Sequence, residues 1–412
     1  MSTPQRAVEP DFKEDAQVCP YPEYARMRKE NPVPQVRREV GLEPFLVTRY
    51  EDAKAALVDP RLAKNPETAR AALEAAGLAN VYLNAGEGLS FNMLTADPPS
   101  HTRQRKLVSA EFTPRRIAAL RPWIQELADS LVDALVDAAA RAGRADLMGS
   151  FAAPLPALVI AELLGIPVED REEFQHLAQL SMRPAQDPAQ REGLLALNRY
   201  LAGQIQAKRE KPEEDLISAL VASREEERLS DAELLGATVL LLVAGHETTV
   251  NLIGNGMLAL LEHPDQLELL RSRPDLIPGA VEEFLRYDGP VERATHRFAA
   301  QDVEISGTLI PAGSVVMVAL NSADRDEAAF ADPDVLDVTR APRGHLAFGH
   351  GIHFCLGASL ARLEAEIAFG TLLRRLPDLA LAVPVEDLRH RQSTIMRGLE
   401  SLPVTFTATA QA

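Results

Sequence analysis

Residues 347–366 read AFGHGIHFCLGASLARLEAE and contain Cys355, one of only two cysteines in a chain of 412 residues. Gly349, Gly351 and Gly357 flank it, with His350 and His353 close by, just ahead of a segment with helical spacing. A buried structural thiol needs none of this, whereas a thiolate that holds a metal or acts as a nucleophile benefits from all of it. Gly349 and Gly351 can take positive φ, so the backbone can close around whatever the sulfur holds. The peptide N–H groups of such a turn, and the positive end of the helix that follows, are expected to lower the thiol pKa. From one cysteine and its glycines alone, an inert buried thiol at a helix start is an equal alternative. Structural zinc would take four ligands from paired Cys and His, but no second cysteine is near and His350 and His353 fit no paired spacing. A single thiolate suits the axial position of a haem iron, whose equatorial ligands come from the porphyrin.

A second group with chemistry is VAGHETTVN (243–251), which ends the most apolar run of the chain. His-Glu-Thr-Thr inside an apolar helix is costly unless it is used. The Thr248 hydroxyl can bond the carbonyl of Ala244 and loosen the local ladder, opening a notch beside Gly245. His246 is read as structural or water-bonded. A zinc-protease reading of His246-Glu247 fails, because the second histidine it needs at 250 is a valine. In GAVEEFLRYDGPV (279–291), Glu283 and Arg286 stand at i and i+3 and share a helix face. Such a pair, taken alone, is most often an exposed surface pair.

These groups must be held by a mostly helical scaffold. Helical periodicity covers 115–142, 154–164, 190–209, 230–262 and 275–287, and resumes at 356–375. Ser230 followed by Glu233 is a capping box in front of a long helix that is apolar almost all round, as a helix through the centre of a protein must be. After Cys355, Leu356, Leu360, Leu363 and Ile367 form one apolar face. Strand-like pieces are few: PFLVTRY (44–50), the alternating DVEISGTLIPAGSVVMVAL (302–320), and a terminal hairpin expected over 393–408. The reading is a mainly α fold with a minor β part (α+β), a single domain over 1–412, β-richer in its amino-terminal part and at 290–330.

The pattern Phe348-Gly349-x-Gly351-x-x-x-Cys355-x-Gly357 resembles the haem-binding loop of the cytochrome P-450 family, soluble bacterial type. The likeness runs in order along nearly the whole chain: Glu283 and Arg286 match the family's Glu-x-x-Arg helix, and Ala244 to Thr248 match its central-helix motif. The resemblance implies the cytochrome P-450 fold, with haem b between the central helix and the helix after Cys355, and Cys355 as the iron ligand whose electron density favours O–O cleavage. It implies Glu247 and Thr248 as the acid–alcohol pair that relays protons. It further implies His101 and Arg105 in DPPSHTRQRKL (97–107), Arg297 and His353 as contacts of the haem carboxylates, and Phe348, Gly349, Gly357 and Ala244 against the ring. The Glu283–Arg286 pair becomes a structural lock beneath the haem.

The implied activity is a haem-thiolate monooxygenase that activates dioxygen with electrons from a separate ferredoxin and reductase, ultimately from NAD(P)H, and hydroxylates or epoxidises an apolar substrate. A peroxide-using peroxygenase and a non-catalytic haem sensor are the alternatives; the intact acid–alcohol pair argues against the first and an idle oxygen notch against the second. Pocket walls are expected from Met93, Val243, Ala244, Ala294, Ile395 and Met396, with Glu292 as a polar anchor. Small residues at 244 and 294 leave room for a mid-sized or large secondary metabolite, polyketide or terpenoid. Sixty acidic against 43 basic residues give a net charge of −17, which argues against nucleic acid or an anionic membrane as partner. The opening MSTPQRAVEPDFKEDAQ shows no signal-peptide pattern, and LLGATVLLLVAG (234–245) is shorter than the roughly 18–20 residues that span a bilayer, so a soluble cytoplasmic protein is expected, and the resemblance is read as that of a monomer. Arg103, Lys106, Arg343 and Arg362 are expected to form a local positive patch for an acidic ferredoxin.

Overall fold

The protein is seen here in a computed structural model that describes residues 8–10, 19–37, 42–75, 92–181, 187–222, 229–340 and 342–407, with 77, 79 and 83 as single positions. Most of the opening stretch read as lacking a signal peptide, and the loop before Met93, lie outside the described residues.

One helix organises the rest. Asp231–Glu262 starts at the predicted capping box, with the Ser230 side chain accepting from the Glu233 N–H and the Glu233 carboxylate from the Ser230 N–H. Its composition alone would let it cross a membrane, yet 67% of its most apolar window is buried inside the protein. Every residue from Thr249 to Leu260 is buried, against the helices Pro154–Leu164, Ile277–Asp288 and Ala358–Arg375. Phe284 and Phe369 close the seam between the last two, ring centroids 4.7 Å apart. Burial at this density supplies the main stabilisation, roughly 25 cal/mol per Å² of apolar surface.

The periodic segments form helices at Arg121–Ala142, Pro154–Leu164, Pro188–Glu210 and Ile277–Asp288. The helix after the cysteine begins at Ala358, two residues later than the apolar rhythm predicts, because Gly357 serves as its N-cap. The β part is small. Phe45–Val47 pairs in parallel with Val315–Val318, which pairs antiparallel with Arg297–Ala299, and that strand with Leu62–Ala63. This sheet sets Arg297 beside residues 62–64. The expected terminal hairpin over 393–408 takes a different form. Residues 390–399 make an irregular loop closed by the bridge His390–Leu399, and Pro403–Thr405 pairs instead with Ala380–Leu381 and Ala145–Asp146. Glycine at 398 and proline at 403 break the alternation that a regular hairpin needs.

Candidate active site

The cysteine loop is built by its own backbone. The Gly349 N–H donates to the Leu346 carbonyl (2.7 Å) and the Cys355 N–H to the Phe348 carbonyl (2.8 Å), which folds 346–355 into a closed turn. Gly349 (φ 71°) and Gly351 (φ 77°) take the positive φ that the sequence predicts. At Gly351 a Cβ would also sit 2.7 Å from Val58 Cγ1, so no larger residue fits. Gly357 is different: its φ is an ordinary −83°, and nothing lies within 4 Å of where its Cβ would be. The backbone gives no reason for glycine there, and the open space beside the sulfur gives one. A flat ring can lie against this position.

The Cys355 thiol departs from expectation. Burial pushes its pKa up and outweighs the Gly357 N–H, Arg105 and Arg362, which all pull it down. The local field therefore favours thiolate less than the loop chemistry alone implies. A coordinating metal ion takes the proton off such a thiol through its own charge.

Beside the loop lies a concentration of cationic groups. The His101 and His353 rings meet at a tilt, centroids 4.3 Å apart, and the Nε2 of each is buried with no hydrogen-bond partner. Arg297, 6% exposed, donates to the Leu57 (2.9 Å) and Leu62 (3.2 Å) carbonyls. Arg105 reaches from the helix Ser100–Ser109 to the Phe354 carbonyl (2.6 Å), next to the cysteine. Lys64, 4% exposed, joins them; its Nζ donates to the Thr295 hydroxyl (2.6 Å) and the His296 carbonyl (2.7 Å). Burial, together with His101, Lys64, Arg297 and Arg105, drives His353 down to about 3. Burial likewise lowers Arg297 to about 10 and Lys64 well below the usual lysine value, while Asp97 opposes both. Five cationic or imidazole groups thus crowd together, and Asp97 is engaged with the Lys64 (2.9 Å) and Asn65 (3.0 Å) N–H groups. The donor set calls for buried anionic groups. Two ring carboxylates next to a thiolate-held iron meet that demand, so these residues fit haem. Lys64 escapes sequence reasoning, since a lone lysine after a two-residue strand carries no signal.

The central helix turns a distinct strip toward this region. Ala244 is exposed and Val243, Glu247 and Thr248 half-buried, although the helix on either side is buried. Val243 packs on the same cluster as Met93 and Leu356, the residue after the cysteine. The Thr248 hydroxyl donates to the Ala244 carbonyl at 2.6 Å, as the i−4 spacing predicts. Burial raises the Glu247 carboxyl, with Arg391 opposing. His246 is bonded through Nε2 to the Ala153 carbonyl (3.0 Å), and burial holds it neutral at about 4, so it is structural.

Glu283 and Arg286 are both fully buried and bidentate, at 2.7 and 2.8 Å. Sequence reasoning missed the third member: Arg340 Nε reaches the same Glu283 oxygen at 3.1 Å, alongside the Asp337 N–H. Arg286 also donates to the Pro333 (2.7 Å) and Asp324 (3.1 Å) carbonyls, tying the chain before the cysteine loop to this helix.

Two expectations need correction. Glu292 is no pocket anchor: it is 1% exposed, and its Oε1 accepts the Tyr24 hydroxyl (2.6 Å), which accepts in turn from Arg293 Nε (2.9 Å). It holds the first helix, Tyr21–Glu30, to the core. In the expected docking patch, Arg362 is spent on Glu282 (2.6 and 2.9 Å) and Arg103 pairs with Glu233. Against burial, His345 and Arg362 hold Glu282 down to about 2, so this pair is firm. Of the other pocket residues, Met93 and Met396 are buried, while Val243, Ala294 and Ile395 are half-buried. Ile395 packs toward Tyr24 and Met27.

On the cysteine face, Tyr50, Lys54, Arg343, His350 and Phe354 line a cleft of about 490 Å³.

Comparison with known proteins agrees with this geometry. The sequence model of the family described as Cytochrome P450 matches residues 196–272 and 271–377. Cytochrome P450 monooxygenase PikC of Streptomyces venezuelae is 51% identical over 97% of this chain and 93% of its own length. Among solved structures, the tirandamycin C-bound P450 monooxygenase TamI superposes with a TM-score of 0.88 at 43% identity, covering 97% of this chain and 100% of that one. The Bacillus subtilis bacillaene polyketide synthase cytochrome P450 PksS superposes at 0.85 with 40% identity, covering 94% and 97%.

Proposed function

The chain belongs to the cytochrome P450 family, as a monooxygenase that binds haem b, and on that premise we propose that it oxidises a mid-sized to large apolar polyketide-like metabolite in the cytoplasm, with electrons from a separate ferredoxin and reductase. The substrate class is supported by similar proteins, among them a tirandamycin C-bound monooxygenase and a polyketide synthase P450. Exposed Ala244 beside half-buried Val243 on the central helix supports an apolar wall.

In this reading Cys355 holds the iron, His101, Arg105, Arg297, His353 and Lys64 hold the two carboxylates, and Phe348, Gly349, Ala244 and Gly357 border the ring. When bound, haem supplies the iron centre at which dioxygen is activated. The chain's own residues manage protons and water. Glu247, raised by burial, keeps its proton to higher pH than an exposed carboxylate does, as a proton donor to the relay must. The Thr248 hydroxyl can accept that proton and give up its own, because it can release the Ala244 carbonyl and turn toward the exposed strip. Buried helix above and below this strip confines the route.

The observation that carries the reading is the Thr248–Ala244 bond beside the half-buried Glu247, on the accessible strip in the middle of the central helix. The test is reconstitution with a ferredoxin, its reductase and a panel of polyketide lactones, reading the haem spin state and NAD(P)H consumption. Lactones that shift the spin state should drive NAD(P)H consumption and yield an oxygenated product. Product formed from hydrogen peroxide but not from NAD(P)H would replace this reading with a peroxygenase.

A further inference from the structure

The irregular loop 390–399 has a feature that the family resemblance left unused. It lies against the central helix so closely that any Cβ on Gly398 would overlap the Asn251 amide. Asn251 is one helical turn beyond Glu247, is 1% exposed, and has both amide atoms buried without a hydrogen-bond partner. Across the loop from Gly398 stands Arg391. Its N–H donates to the Gly398 carbonyl (2.8 Å) and its Nε to the Leu399 carbonyl (3.2 Å), so backbone and side chain are both anchored. The loop thereby holds Arg391 on the side of the central helix that carries Asn251, one turn from Glu247.

Of the other elements packed on the central helix, Ala358–Arg375 brings Glu364, which is buried and pushed well up by that burial, and Pro154–Leu164 and Ile277–Asp288 bring charges that are already paired. On Pro154–Leu164, Glu162 is paired with Arg171 at 2.5 Å. On Ile277–Asp288, Glu283 and Arg286 satisfy one another, and Arg397 of the same terminal loop is paired with Asp288 at 2.6 Å. His246, the neighbour on the helix itself, is held neutral by burial at about 4. The influences that act on the Glu247 carboxyl are burial, which raises it, and Arg391, which lowers it.

We propose that Arg391 is a positioning residue for Glu247, the fixed counter-charge that lets a half-buried acid both give up and regain its proton. Burial favours the protonated carboxyl, and an acid that ionises less readily relays protons less readily. Arg391 opposes that burial without forming a tight pair that would lock the carboxylate ionised. The proposal rests on the reading of Glu247 as the acid of the site, and it can be tested apart from that reading.

The test titrates the haem-loaded full chain by pH-difference infrared spectroscopy, with the Glu247 carboxyl band assigned by its loss in Glu247→Gln. Arg391→Gln keeps a donor for the Leu399 carbonyl while removing the charge; Arg391→Met serves as a second neutral variant. Both should raise the midpoint of the band by about one pH unit, and Arg391→Lys should restore it. The pH profile of product formed per NAD(P)H should move the same way, and the Arg391 substitutions should lose their effect in a Glu247→Gln background. Equal midpoints in the wild type and both neutral variants would overturn the proposal. Full coupling in Glu247→Gln would overturn the catalytic reading of Glu247, while the infrared midpoint would still decide whether Arg391 sets its charge.

Discussion

Thr248 uses its hydroxyl twice, as a donor to the Ala244 carbonyl and as the alcohol beside Glu247. Replacing it with alanine removes only the hydroxyl and a methyl group on the accessible strip, so haem and substrate should still bind. Product per NAD(P)H should fall roughly tenfold, less than the 10²–10⁴ of a typical positioned proton donor because water can partly substitute. The missing reducing equivalents should appear as hydrogen peroxide, measured in the same assay. Unchanged coupling would remove Thr248 from the proton route. This residue was legible in the sequence because its bond is local, four positions back on one helix. So were the positive φ values of Gly349 and Gly351. The sign of the Cys355 shift was not, since it is set by burial in the folded chain, which local spacing does not report. Lys64 and Arg391 were illegible for the same reason: a short strand and a loop bring them to the site.

At the scale of elements, the helix Ile277–Asp288 couples the core to the segment that leads into the cysteine loop. Glu283 there meets two guanidiniums, and Arg286 in turn holds the carbonyls of Asp324 and Pro333. Glu283→Ala strands a fully buried Arg286 without its counter-charge, which should cost about 3–5 kcal/mol, a large part of a typical domain's stability. The variant should purify with little haem and show a lower denaturation midpoint. Normal haem content, read from the reduced carbon monoxide spectrum, together with an unchanged midpoint would reject this assignment. The i,i+3 pair was visible in the sequence, but its burial and its third partner Arg340 were not, because a surface pair has the same spacing. The capping box at Ser230 was fully legible, while the terminal hairpin was misread where Gly398 packs on Asn251. Local chemistry survives into the fold; pairings that depend on what lies opposite do not show in one strand of sequence.

Across the whole molecule the charge is −17, so the proposed ferredoxin, if acidic, would have to be drawn to a local exception. Three of the eight large hydrophobic side chains exposed among the described residues, Val58, Ile352 and Phe354, cluster where Val58 meets Gly351 of the cysteine loop. Lys54 and Arg343 border the adjoining cleft, and Arg343 is exposed. An apolar centre with a cationic rim is the usual anatomy of a transient interface, and the charges act mainly on the association rate. Arg362 is a poor probe despite its charge, because reversing it would break its pair with Glu282 and disturb the Phe348 ring, which its guanidinium covers at 4.5 Å. Lys54→Glu with Arg343→Glu avoids that. At sub-saturating ferredoxin this double variant should be reduced several-fold more slowly, with the spin-state affinity for substrate unchanged. Raising salt from about 0.1 M, where the Debye length is about 10 Å, toward about 1 M, where it is about 3 Å, should slow the wild type and leave the variant nearly unaffected. Equal reduction rates for both proteins at every salt concentration would place the donor elsewhere on the surface.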